Sequence, residues 1–342
     1  MKKLKTVFKW ILLSILLQTA VLSYLNFVYL PNRGKYKATA YEKDSVPVKN
    51  RSYILPEGAV GVSVSFDGLY AAYMKGSNVV IADIDKEKSI RQLNPAGGSI
   101  TYYKWLPDRE MLIYAVKEPG GKKGRVRIAT YDIGPGLERS YPDIDRLPEG
   151  SEVVNIELSP LTNIVCPVIK TGRTEVGIYK FDIMDNLTLV MKTDLNTVIK
   201  ETMYSDNLVY QPAGGNIRIR NGTTGETSQV PLKEAKLLLA VDGYDYIYAA
   251  DTDINGMVTA IYYGKAGQKK EEWRRIAVQR ATKAENIFVT LNGSVYAADH
   301  GEGIIVDLES KARTRYEGEL LTVLDDYLVS VNGNKLLFGA LN

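Results

Sequence analysis

The residues best placed to do chemistry are few. Asp251-Thr252-Asp253-Ile254-Asn255-Gly256 sets three oxygen ligands, Asp251, Asp253 and Asn255, on alternate positions of a tight loop. Calcium loops begin this way, with glycine making the turn. An EF-hand closes on an acid at the twelfth position, here Tyr262, and other calcium loops close at the ninth, here Thr259. Both closing acids are missing, so the loop is a weak calcium candidate. A polar hairpin loop with Asn-Gly at its tip is the plainer reading. No other cofactor is expected. His300, in ADHGEGIIVD, has Asp299 and Glu302 beside it in sequence. A general base needs a cleft and a partner, whereas turn neighbours usually face solvent. Cys166, in NIVCPVIK, reads as a buried small apolar residue. Asp242 with Asp245, and Asp325 with Asp326, are the available carboxylate pairs, and nothing in their spacing favours them.

Composition narrows the chemistry further. The chain of 342 residues has one cysteine and one histidine, which excludes an internal disulfide and a zinc site of several His and Cys ligands. The net charge of +3 is spread along the chain and gives no electrostatic footprint for nucleic acid. Two basic clusters, 118–127 and 268–275, read as solvated loops or edge strands, where lysine discourages aggregation. Contact with a polyanion is the alternative. Tyrosine is abundant, 23 residues against 6 phenylalanines, and suits strands whose rings are half wet.

The elements that must hold these residues fall into two parts. Residues 1–9 carry Lys2, Lys3, Lys5 and Lys9 and read as a basic cytoplasmic tail. Residues 10–30, WILLSILLQTAVLSYLNFVYL, are uncharged, and 21 helical residues match a bilayer core. Trp10 and Tyr29 stand at the two interfaces. The run is longer than a signal-peptide core and no Ala-x-Ala site follows it. It is therefore expected to be an uncleaved signal anchor, with Val21-Leu22-Ser23 the best cleavage site otherwise. The remainder is expected outside the cytoplasm, tethered to a single-pass membrane segment. Residues 31–44 read as a linker.

From residue 59 the chain repeats a turn–strand pattern at a spacing of about 40 residues. The passes run 59–93, 99–144, 152–192, 197–232, 236–278 and 285–318, with a last one from 320. Six of them offer four strands and the last only three. This is the sign of an all-β fold, a single β-propeller over 45–342, with seven blades favoured over six. The missing strand is expected from 45–55, whose Val46, Val48, Tyr53 and Ile54 have β character.

The first pass, Ser65-Phe66-Asp67-Gly68-Leu69-Tyr70-Ala71-Ala72-Tyr73 followed by VVIADID, resembles the repeat of TolB-like and dipeptidyl-peptidase-IV-like, WD40-like propellers. Leu106-Pro107-Asp108 and Ser159-Pro160 match the same turn in part. The resemblance implies a fold and no activity. The Trp-Asp dipeptide of WD40 repeats is absent, and so is a Gly-x-Ser-x-Gly elbow, so a peptidase domain is not expected. The leading expectation is a non-catalytic propeller that binds a protein or a cell-envelope component. The alternative is an extracytoplasmic enzyme acting on carbohydrate or peptide, with carboxylates near the channel.

Overall fold

The computed structural model describes residues 2–24, 51–95, 97–118 and 123–341. They fall into two units, Met1–Val46 and Pro47–Asn342. In the first, Lys2–Tyr24 forms one α-helix. Lys2, Lys3, Lys5 and Lys9 lie in the first turns of this helix. Among the described residues no helix is long and apolar enough to cross a membrane. Within the described part of this helix the uncharged run after Lys9 is Trp10–Tyr24, about 22 Å at helical rise. The rest of the expected span, 25–30, and the linker lie outside the described residues.

The second unit is built of seven antiparallel sheets. Blade 1 runs Val60–Val64, Tyr70–Lys75, Asn78–Asp83 and Lys88–Leu93 from inner to outer strand. Blade 2 has Ser99–Trp105, Met111–Glu118, Gly124–Asp132 and Leu137–Ser140, and Ile144–Leu147 adds to its third strand. Blade 3 has Glu152–Ser159, Ile164–Lys170, Glu175–Phe181 and Leu187–Asp194, and blade 4 has Val198–Glu201, Asn207–Gln211, Arg218–Asn221 and Thr227–Gln229. Blade 5 comprises Leu237–Val241, Ile247–Thr252, Val258–Gly264 and Arg274–Thr282, and blade 6 Ile287–Val289, Val295–Asp299, Ile304–Asp307 and Arg313–Arg315. Blade 7 has Glu319–Val323, Tyr327–Asn332 and Lys335–Ala340, and its fourth strand is Ser52–Ile54.

Each strand's composition follows its place. The second strand of a blade is covered on both faces and reads as an apolar run, as in Ile164–Lys170, where all but Lys170 are buried. Outer strands are wet; in Lys88–Leu93 only Leu93 is buried. A single sheet cannot cover both its faces, so neighbouring blades share cores. Tyr73 and Val80 of blade 1 pack with Val329 and Phe338 of blade 7, and Tyr53 of the closing strand joins them. Ile81 of blade 1 packs with Trp105 and Leu112 of blade 2, and Ile128 of blade 2 with Ile156 and Phe181 of blade 3. The same sharing continues blade by blade to Ile305 and Leu328.

Hydrogen bonds between first turns tie the blades together. Ser159 Oγ donates to Met203 O at 2.9 Å, and Asn292 N donates to Asp325 Oδ1 at 3.0 Å. At the seam Tyr327 OH lies 3.0 Å from Ser65 O and 3.1 Å from Phe66 O. This explains the glycine of the Ser-Phe-Asp-Gly turn. Gly68 has φ +70, and a Cβ there would stand 2.7 Å from Tyr327 OH.

Candidate functional site

The Asp251–Gly256 loop is a hairpin tip whose acids are engaged. Asp253 Oδ1 accepts the N–H of Asn255 (2.8 Å) and of Met257 (2.9 Å), an Asx turn. The Asp251 carboxylate pairs with Lys236 at 3.0 Å. No group of three or more His, Cys, Asp or Glu that could hold a metal occurs among the described residues. The aspartates weighed for catalysis serve turns. Asp245 accepts the N–H of Met203, Tyr204 and Ser205 and the Ser205 hydroxyl, which locks blade 4 to blade 5. Asp242 is buried and accepts Tyr244 N, Tyr246 N and Tyr248 OH. Burial raises its pKa against those bonds. Cys166 is buried, as a small apolar residue would be.

A carboxylate that the sequence reading passed over stands on the inner ring of strands. Glu157, on the inner strand of blade 3, faces Lys104 Nζ at 3.5 Å from blade 2 and Lys200 Nζ at 3.7 Å from blade 4. Asn155 Nδ2 donates to it at 3.0 Å, and Tyr102 OH donates to Asn155 Oδ1 at 3.0 Å. Burial pushes the Glu157 carboxyl up, but the two ammonium groups and the Asn155 bond outweigh burial and hold it below its ordinary value. It is a clamped anion that stitches three blades together. The signal was present as the one acid inside the apolar run VVNIELSP.

A recess of about 450 Å³ lies between blades 5 and 6. A backbone irregularity opens it. Ala277 faces Ala260 and Thr282 faces Val258, so residues 278–281 of the outer strand stand against Thr259 alone. The strand swings out of the ladder there, and Val278, Gln279, Arg280, Ala281 and Thr282 form one wall. Ala297, Ile304, Val306 and Leu308 of blade 6 give an apolar floor. Charges rim it. Arg280 Nη1 pairs with Asp299 at 2.5 Å and with Glu302 at 3.7 Å. His300 is on this rim. Its Nε2 is 3.1 Å from Asn286 Oδ1 and its Nδ1 is 2.9 Å from Tyr316 OH. Since Asn286 Oδ1 only accepts, Nε2 carries the proton, and Nδ1 accepts from Tyr316 in the neutral ring. The histidine therefore does sit in a cleft. Its partners orient it, and the neighbouring acids are spent on Arg280. Neither the bulge nor the cleft was visible in the repeat pattern, because RRIAVQRAT reads as an ordinary outer strand.

Two solved structures share this architecture. The Myceliophteria thermophila Cps50 (Swd1) β-propeller domain matches with a TM-score of 0.52 at 14% identity, over 86% of this chain and 99% of that one. A prolyl endopeptidase matches with a TM-score of 0.53 at 12% identity, over 75% of this chain and 41% of that one. The fold is a seven-bladed β-propeller. No protein-family model and no curated protein matches the sequence. At these identities the likeness to both structures concerns the fold alone.

Proposed function

We propose that the chain is a membrane-tethered, extracytoplasmic propeller that binds a protein or cell-envelope component without catalysing its conversion. The observation that carries this reading is the cleft between blades 5 and 6: apolar floor, ionic rim, and a wall of displaced strand. Such a recess on a rigid ring suits an extended polypeptide, whose backbone meets the unladdered strand and whose side chains meet the floor. The titratable groups around it are engaged in ion pairs and turn bonds rather than poised as an acid–base pair.

The tether rests on the apolar exposure of the N-terminal helix. Trp10, Leu13, Leu16, Leu17 and Leu22 are all exposed. Its polar side chains turn back on the helix, Thr19 Oγ1 donating to Ile15 O at 2.8 Å and Gln18 to Ser14 Oγ at 3.4 Å, which suits an apolar surround. The full chain should partition into detergent and residues 34–342 into the aqueous phase. A fragment found only in detergent would remove the single-tether topology.

Affinity capture from solubilised membranes tests the binding role. The full chain should retain a stoichiometric partner, and Ala281→Trp, which fills the cleft from an exposed position, should release it without changing the melting temperature. Undiminished capture by that variant, or turnover of a glycan or peptide panel that is lost in Glu157→Gln, would overturn the proposal.

A further inference from the structure

A second cavity, of about 230 Å³, lies between blades 3 and 4 and belongs to nothing described above. It exists because a ladder lapses. Cys166-Pro167 on the second strand of blade 3 makes no bridge to the third strand, whose pairing skips from Val165↔Phe181 to Val168↔Ile178. Pro167 has no N–H to donate. Across the gap, Glu201 ends the inner strand of blade 4 and is 5% exposed. Cys166 Sγ donates to Glu201 Oε2 at 3.7 Å, whereas Oε1 has no hydrogen-bond partner among the described groups. A buried oxygen of this kind calls for a partner.

The groups that face Glu201 are Cys166, Lys180 and Glu157 from blade 3 and Asp206 from its own blade. Burial foremost, then the Asp206 and Glu157 carboxylates, push its carboxyl well above the ordinary range, and Lys180 only partly opposes them. The protonated, uncharged acid is thereby favoured in the fold. In that form, with Oε2 accepting from the thiol, Oε1 carries the hydrogen and is a donor. Two cations line the same cavity with donors to spare. Lys180 Nζ uses two of its three hydrogens, on Asp206 Oδ2 at 2.7 Å and Gly222 O at 3.3 Å. Arg220 Nη1 donates to Gly225 O at 2.7 Å. Lys180 and Arg220 against Asp206 leave one net positive charge. Leu189, Val190 and Leu208 make the remaining wall apolar.

We propose that this cavity binds a small aliphatic monocarboxylate. The anion accepts from the Glu201 acid and from Lys180 and Arg220, and its hydrocarbon lies on Leu189, Val190 and Leu208. A cationic ligand would need the opposite, an ionised Glu201. The site is independent of the cleft between blades 5 and 6.

Calorimetry on the purified full chain with sodium butyrate tests it, with butylammonium and inorganic phosphate as comparison probes. Butyrate should bind saturably at about pH 6 and more weakly at about pH 9, as Glu201 gives up its proton. Glu201→Gln keeps a neutral donor and should bind within about threefold of the parent with no such pH dependence, whereas Glu201→Leu and Arg220→Met should each weaken binding about tenfold. Butyrate should also slow alkylation of Cys166, the chain's one thiol. Absence of saturation at both pH values overturns the proposal. So does preference for butylammonium or phosphate, or undiminished butyrate binding by Glu201→Leu.

Discussion

At the scale of single residues, the contrast between two buried glutamates is the most instructive. Glu157 has cations on either side, which favour its ionised form; Glu201 has mostly carboxylates and apolar walls, which favour its protonated form. Their effects on stability therefore run in opposite directions with pH. Glu157, whose folded pKa is lowered, adds stability above the carboxyl's ordinary range, and this is lost as pH falls through the folded value. Glu201, whose folded pKa is raised, holds its proton where the unfolded chain has released it. Its contribution is full below the ordinary value of 4.5 and declines as pH rises from there. Melting curves from pH about 5 to about 8 should fall more steeply for the parent than for Glu201→Gln, with the variant the more stable at the upper end. Parallel curves would mean that Glu201 ionises normally in the fold. Asp253 gives a second residue-scale prediction. Its carboxylate already caps its own loop, so Asp253→Ala should cost about 1 kcal/mol of stability. Millimolar calcium should leave the melting temperature of the parent unchanged, and a calcium-dependent rise abolished by the same substitution would restore the metal reading.

At the scale of elements, strands were legible where packing dictates composition and illegible where it does not. Runs such as YAAYMK, MLIYAVKE and YLVSVN are covered on both faces by neighbouring blades, and that burial selects unbroken apolar sequence. Outer strands are solvated and carry little pattern, so the bulge at 278–281 left no trace in the sequence. The ladder lapse at Cys166-Pro167 did leave one, since proline inside a strand marks a missing donor. The N-terminal helix is the converse case. Its apolar run is plain, yet helix geometry recruits the lysines before it into the first turns. The closing strand is short, Ser52–Ile54, but Tyr53 is buried in the core shared by blades 7 and 1. Deleting residues 34–56 should lower the melting temperature markedly, because ladder bonds worth about 1 kcal/mol each and a buried aromatic side chain are lost together. Deleting 34–42 should change it little. Equal melting of both deletions and the parent would rule out this strand as a stabilising closure.

At the scale of the whole molecule, the repeat gave the ring and nothing in it gave the ligand. Seven shared cores and the turn-to-turn bonds use nearly all the carboxylates that a sequence reading would offer for chemistry: Asp242, Asp245 and Asp325 hold turns, and Glu157 joins three blades. What remains available is surface shaped by irregularity, chiefly the cleft beside the displaced outer strand of blade 5. The most direct measurement is hydrogen exchange on the full chain with and without its captured partner. Added protection should be confined to Val278–Thr282 and to Ala297–Leu308, the wall and floor of the cleft. Protection centred on the inner strands around Glu157, or none at the cleft, would contradict a propeller that recognises its partner there.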